Sequence, residues 1–297
     1  MCLIAYVRLN GKGYLAKNRD RYYITPIRVV HTESDGVEIL YIHDTKSGWI
    51  EGMNEYGISI VNSVLPTTRE EIVMKSKESK HSNERLDEQG HGNDGTIIFN
   101  ALRQTRLQDA LSVLLRCNCR TTMGLHGHTI VSDGKTTRAV EYTSKTYPVV
   151  KVVYSRYIRA NHTVYLGVKH GGYNPKLNAA SYQSSLVRMK EAKRLLSGIK
   201  SNREIMPKLA DVNLANPCHS VFRIGHRCDQ QFKYGFATTS QVMFDPVGRV
   251  MHFYVDPYNT HYGGYVDEIG KGRAKKIKFT VHKIKRKPYT YTILKDY

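Results

Sequence analysis

Residues 1–20 read MCLIAYVRLNGKGYLAKNRD. From Cys2 to Leu9 the apolar Ile4, Tyr6 and Val7 give the first half strand character. Gly11-Lys12-Gly13 reads as a turn, and Tyr14-Leu15-Ala16 as the strand that returns, ending in Lys17-Asn18-Arg19-Asp20. A hairpin of this kind brings two cations and a carboxylate beside Cys2. A small residue after the initiator permits removal of Met1, which leaves a thiol and a free α-amine on the same carbon. An α-amine with a reference pKa of ~7.7–8.0 can serve as general base near neutrality. A deprotonated thiol is a strong nucleophile. In this reading Asp20 holds or orients the amine, and Lys17 or Arg19 lowers the thiol pKa. The bland alternative is a solvated turn beside an inert cysteine.

Working outward, residues 38–42 and 48–52 suggest a second hairpin, and residues 57–62 (Gly-Ile-Ser-Ile-Val-Asn) a further strand. Residues 67–93 hold many Lys, Glu, Ser, Asn and Gln and few aliphatics, and are expected to form a mobile loop. A helical zone follows. Thr105-x-x-Gln108 offers a capping box, and Leu107, Ala110, Leu111 and Leu114 recur at helical spacing. Residues 128–134 and 138–143 read as a strand, a tight turn and its partner. A second helix is expected over 184–199, with Leu186, Met189, Ala192, Leu196 and Ile199 in one stripe. Strands are expected again over 240–245, 250–255, 277–281 and 290–294. Strands on both sides of two helical zones, with no repeat and no linker, predict a single α+β domain over residues 1–297.

At this point the chain resembles a family. Met-Cys, a hairpin and a basic-Asn-x-Asp motif are similar to the choloylglycine hydrolase and penicillin V acylase group of N-terminal nucleophile amidohydrolases. Glu51-Gly-Met-Asn-Glu-Tyr-Gly57 resembles their Gly-x-Asn-Glu-x-Gly segment, and Asp133-Gly leading into Ala139-Val-Glu141 resembles the hairpin that follows. Arg159-Ala-Asn161-His162 resembles their Thr-Asn-His element, and Ser184-Ser-Leu-Val-Arg188 the start of their second helix. Residues 238–246 and Met251-His-Phe253 resemble the closing hairpin of the isopenicillin N acyltransferase branch. The resemblance implies a four-layer αββα sandwich of two antiparallel sheets flanked by helices. It implies Cys2 as nucleophile with its α-amine as base, and Asp20 as the carboxylate that binds the amine. Asn161 would polarise the scissile carbonyl or donate into an oxyanion hole, with Asn62 as second donor. Arg188 would steady the nucleophile's surroundings or the substrate, and Lys17 stands where bile-salt-hydrolase-like members have arginine. Arg19 and Trp49 are the candidate substrate contacts. The implied function is hydrolysis or acyl transfer at a linear amide, small-molecule or peptide, through a thioester acyl-enzyme.

Composition bounds the alternatives. The chain has 297 residues, 40% hydrophobic and 24% charged, which excludes wholesale disorder. No apolar run reaches the ~18 residues of a membrane span, and the first residues do not read as a signal peptide, so a cytoplasmic protein is expected. Lys and Arg number 45 against 26 Asp and Glu, a net charge of +19. Charge of this size fits an anionic partner. It is concentrated in residues 271–297, where Lys276, Lys278, Lys285 and Arg286 stand among other cations. The second function reading is therefore a nucleic-acid-associated or structural binding protein, and a homo-oligomer is a further partner class. The five cysteines, Cys2, Cys117, Cys119, Cys218 and Cys228, are expected to be reduced thiols. Cys117-x-Cys119, His126-x-His128, Cys218-His219 and His226-x-Cys228 supply ligand types, but their spacing is not that of structural zinc sites. No metal and no cofactor is expected.

Overall fold

In β1 (Cys2–Leu9) both faces are buried, and alternate residues enter different cores. Ile4 and Tyr6 pack with Leu40, Ile42, Met53, Val61 and Ile130. Leu3, Ala5 and Val7 pack with Ala192, Leu196, Ile205 and Leu209. The period of two in a strand thus assigns each residue to one of two layers. The computed structural model describes residues 2–21, 27–45, 47–65, 93–120, 125–143, 146–166, 179–213, 215–226, 236–255, 280–283 and 292–294.

β1 pairs antiparallel with β2 (Lys12–Arg21), Leu9 standing opposite Lys12. The two-residue connection is Asn10-Gly11, both at positive φ (49° and 78°), the conformation that matches the twist of a tight hairpin. This corrects the turn expected over Gly11-Lys12-Gly13. A second such turn, Asp35-Gly36 (φ 52° and 74°), joins β3 (Ile27–Ser34) to β4 (Val37–Asp44). The sequence reading passed over β3, although Asp-Gly between apolar runs is a hairpin signal. β4 continues into β5 (Ile50–Asn54) as expected, and then β6 (Ser59–Ser63). The helices α1 (Asn93–Leu102) and α2 (Leu107–Arg120) follow. Then come β7 (Gly127–Ser132), β8 (Thr137–Tyr142), β9 (Val149–Val152) and β10 (Arg156–Arg159). The second helical zone is α3 (Ala179–Leu195) and α4 (Ile205–Leu209). The chain closes with β11 (Ile224–His226), β12 (Phe236–Asp245), β13 (Val250–Val255), β14 (Thr280–Lys283) and β15 (Thr292–Leu294).

Among the described residues these strands form two antiparallel sheets. One runs β3 to β9 in chain order. The other has the order β10-β1-β2-β12-β13-β14-β15, with β11 paired to β12. Three cores separate four layers. Ile39, Tyr41 and Ile60 of the first sheet pack on Ile98, Leu102, Leu111 and Leu114 of α1 and α2. Leu40, Ile42 and Val61 face the second sheet. The far side of that sheet packs on α3, α4 and the residues after α3. The expected αββα sandwich is the observed architecture.

The expected loop over 67–93 lies outside the described residues except for Asn93, which opens α1. Of the basic segment 271–297, the two short strands β14 and β15 alone are described. Among the described residues no helix is long and apolar enough to cross a membrane.

Candidate active site

The hairpin register places the site. Cys2 stands opposite Arg19, and Ile4 opposite Lys17. Leu15 lies in the core between the sheets and Ala16 in the core toward α3. Alternation therefore puts Lys17, Arg19 and Arg21 on the inter-sheet face with Cys2, and Asn18 and Asp20 on the helix face.

Three buried cations in a row need compensation. The facing sheet supplies it from the strand positions that share its inner face, Asp44 at the end of β4 and Glu51 in β5. Lys17 Nζ and Arg19 Nη2 each donate to Glu51. Arg19 Nη1 lies 3.3 Å and Arg21 Nε 2.9 Å from Asp44 Oδ2. Burial raises both carboxyls, but Arg19 and its neighbours outweigh it and hold Asp44 and Glu51 below the usual carboxylate range. For Lys17, burial is the leading influence and lowers its pKa against the pull of Glu51.

Cys2 is 2% exposed. Arg21 Nη1 lies 3.6 Å from its Sγ. Burial pushes the thiol up, yet Lys17, Arg21 and the N-terminal ammonium together outweigh burial and a smaller opposing field from Asp20, lowering it to about 7. The backbone of Cys2 is also fixed. Its N donates to Asn161 Oδ1 at 2.8 Å, and its carbonyl accepts from Ser63 Oγ at 3.3 Å.

Asn161 reaches Cys2 from the loop that follows β10, the strand on the other side of β1. Its Nδ2 donates to Ser63 Oγ at 3.1 Å and to Val64 O at 2.5 Å. Since a backbone carbonyl only accepts, these contacts fix which side-chain atom is the oxygen. Asn161 therefore presents an acceptor to Cys2 N while its donors are engaged elsewhere, and the structure does not aim it as the expected oxyanion donor. The loop is held from behind. Asn161 N donates to Ser185 Oγ at 2.7 Å, and Ser185 Oγ lies 2.8 Å from His162 Nδ1. Burial pushes His162 down to about 4, so the ring is neutral near pH 7. Glu141 accepts from the backbone N–H groups of Val164, Tyr165 and Leu166 at 2.9, 3.0 and 3.0 Å. His128 Nε2 meets His162 O at 2.7 Å.

Asp20, on the helix face, accepts from Arg188 Nη2 at 2.6 Å and from Thr238 Oγ1 at 2.7 Å, with Arg223 Nε at 3.5 Å. Arg188 also donates through Nε to Ser220 O at 2.9 Å and is fully buried. It is thus neither a surface arginine nor a neighbour of the sulfur. Its contact is with Asp20.

Asn62 is not brought to Cys2. Ile60 lies in the core toward α1 and Val61 in the core between the sheets, so Asn62 shares the outward face, where its Nδ2 donates to Thr129 Oγ1 at 3.1 Å. The β6 residue that meets Cys2 is Ser63, one position on. Arg19 is 1% exposed and engaged by Glu51 and Asp44, which leaves it to hold the sheets together rather than to meet substrate. Trp49 packs against the core over α1, with Lys17 Nζ 5.8 Å from its ring centre.

The sequence reading missed Arg21, Asp44, Glu51, Ser63 and Arg223 as neighbours of the site. For Arg21 a signal was present, since Lys17-x-Arg19-x-Arg21 repeats a cation at strand period. For the others the contact is made between distant elements and leaves no local pattern. Among the described residues no group of three or more His, Cys, Asp and Glu is placed to hold a metal ion. Cys218 is disulfide-bonded, which corrects its reading as a reduced thiol, while Cys2 is a free thiol. Cys228 and the side chains of Cys117 and Cys119 lie outside the described residues.

No family model matches the chain, and no curated protein matches it in sequence. Solved structures do match. A mutant of the conjugated bile acid hydrolase from Clostridium perfringens aligns at a TM-score of 0.49 and 12% identity, covering 86% of this chain and 89% of that one. Penicillin V acylase from Agrobacterium tumefaciens aligns at 0.49 and 13% identity, covering 86% of this chain and 83% of that one.

Proposed function

We propose that the chain is an N-terminal cysteine amidohydrolase or acyltransferase that cleaves a linear amide through a thioester. The observation that supports this best is the environment of Cys2. A thiol lowered to about 7 lies 3.6 Å from a guanidinium, and a side-chain carbonyl stands 2.8 Å from its own nitrogen.

After removal of Met1, that nitrogen is an α-amine held by Asn161 Oδ1 and close enough to Sγ to share its proton. Sγ attacks the substrate carbonyl, the π pair moves to oxygen, and the C–N bond breaks as the carbonyl re-forms. The leaving nitrogen takes the proton that left sulfur. Arg21, whose Nη1 lies 3.6 Å from Sγ, is the cation we assign to the developing negative charge. Asp20, which the resemblance assigns to the amine, is fixed by Arg188, Arg223 and Thr238 on the opposite face of β2 and reaches Cys2 through its field. Water or an acceptor amine then resolves the thioester, and the access of each to Cys2 separates hydrolase from acyltransferase.

The test is a panel of linear amides with mass detection of the acyl-enzyme, run on processed protein and on protein carrying an extra residue ahead of Cys2. Turnover and a Cys2 adduct are expected in the processed form alone, because the extension converts the amine to a non-basic amide. Equal activity in the two forms refutes the mechanism. The net charge of +19 supports a second, separable reading as a polyanion-binding protein.

A further inference from the structure

Six lysine and arginine side chains are buried among the described residues. Five form ion pairs, Lys17, Arg19 and Arg21 with Glu51 and Asp44, and Arg188 and Arg223 with Asp20. The sixth is Arg159 at the end of β10, 6% exposed and paired with no carboxylate among the described residues. A buried charge is costly unless it is matched. The Arg159 guanidinium lies 3.9 Å from the ring centre of Tyr157 and 5.2 Å from that of Tyr165. Nη1 donates to Ile158 O at 2.8 Å and Nη2 to Tyr165 Oη at 2.8 Å, whereas Nε is buried and meets no acceptor. Neighbouring groups add positive charge. Lys151 Nζ lies 5.4 Å from the centre of the same Tyr165 ring. Lys193 of α3 is lowered by burial and then by the charge of Arg159. Glu141, whose field reaches Tyr157 and His162, is engaged by the backbone, both oxygens accepting from N–H groups of residues 164–166.

We propose that Arg159 lines an oxyanion-binding site at the β9–β10 edge of the sandwich, which takes the carboxylate or phosphate group of a small ligand. Nε and Nη2 form one edge of the guanidinium fork, the edge that can hold two oxygens of one group in parallel. On that edge Nε has no acceptor, and Nη2 is held by a neutral phenol, a weaker partner than an anion. Tyr165 is 40% exposed, and its ring is the cover that turns aside to admit the ligand. Lys151, exposed over the same ring, brings a second charge to the oxygens. Arg159 stands opposite Ile4 of β1, outside the ion pairs of Glu51 and Asp44. Such a site binds anions whether or not Cys2 cleaves an amide, and whether or not the basic segment meets a polyanion.

The experiment records the arginine Nε–H resonances of the full chain, isotope-labelled at arginine, while sodium acetate or inorganic phosphate is added. Chloride keeps the ionic strength constant, so that screening of the +19 charge is the same at every point. The resonance absent from Arg159→Lys identifies Arg159. It should shift saturably with acetate, with phosphate or with both, and the tighter of the two tells which oxyanion the site takes. Tyr165→Phe removes the competing hydroxyl and should tighten binding by about threefold or more. Lys151→Met should weaken it by about two- to fivefold. Lys208→Gln, which removes an exposed charge on α4, should leave it unchanged. The proposal is overturned if neither anion shifts any arginine Nε–H resonance saturably, or if the shifting resonance persists in Arg159→Lys. Binding to Tyr165→Phe no tighter than to wild type overturns it as well. The wild-type titration and Tyr165→Phe keep the test decisive if Arg159→Lys does not fold.

Discussion

Glu51→Gln removes one charge from the centre of the sandwich and keeps the shape of the side chain. Glu51 is 1% exposed and receives both Lys17 and Arg19, so the variant leaves Asp44 as the remaining carboxylate of that cluster. Breaking a buried ion pair from one side costs ~3–5 kcal/mol, because the partner charge stays buried. An unfolding entropy of ~2.1 cal/mol/K per residue gives about 0.6 kcal/mol/K for a chain of this length. The melting temperature should therefore fall by about 5–8 °C near neutral pH. The pH dependence has a definite sign. Glu51 is held below its usual range, so its contribution is complete above the unfolded carboxylate's ~4.3 and is lost as pH falls through the folded value. The gap between wild type and Glu51→Gln should close in acid. It should also narrow in alkali, since the pKa of Lys17 is lowered by burial and a neutral amine needs no carboxylate. Calorimetry of wild type, Glu51→Gln, Lys17→Met and the double variant measures the coupling. The double variant should lose less than the sum of the singles. Strict additivity, or a shift below about 2 °C in Glu51→Gln, refutes the argument that these charges are matched to each other.

Cys2→Ala should abolish amide turnover, while Cys2→Ser should retain at most a trace, read from product formation, because a hydroxyl ionises far less readily than a thiol. Asn161→Ala should lower kcat, because the Cys2 nitrogen loses the acceptor that fixes it, and should also lower the melting temperature by a few degrees, since leaving buried polar groups without a partner costs ~1–3 kcal/mol. Full activity in that variant removes Asn161 from the mechanism. If the basic segment binds polyanions, affinity for DNA should fall with salt at a log–log slope of about −4 or steeper, and neutralising Lys276, Lys278, Lys285 and Arg286 should flatten it. Absence of binding at low salt returns the charge to a role in solubility.

The sequence by itself determined the layers. Apolar runs with strand and helix periods were enough to read β1, β2, the hairpin of β4 and β5, the β7–β8 pair, α2 and α3, because these signals are local and repeat along the chain. It also exposed Cys2, since one residue carries thiol and amine together, and it exposed the charged end of β2. It did not decide which charges Cys2 meets. A turn centred on Lys12 would pair Cys2 with position 22 and set it on the face of Asn18 and Asp20. The two-residue turn Asn10-Gly11 pairs it with Arg19 instead and sets it with Lys17, Arg19 and Arg21. A one-residue change of register reverses every side chain of a strand, and two positive φ angles in the turn select between the outcomes. Asp44, Glu51, Ser63 and Asn161 come to the same place from β4, β5, β6 and the loop after β10. Their convergence depends on how two sheets stack, a relation between residues up to 159 positions apart that no window of sequence contains.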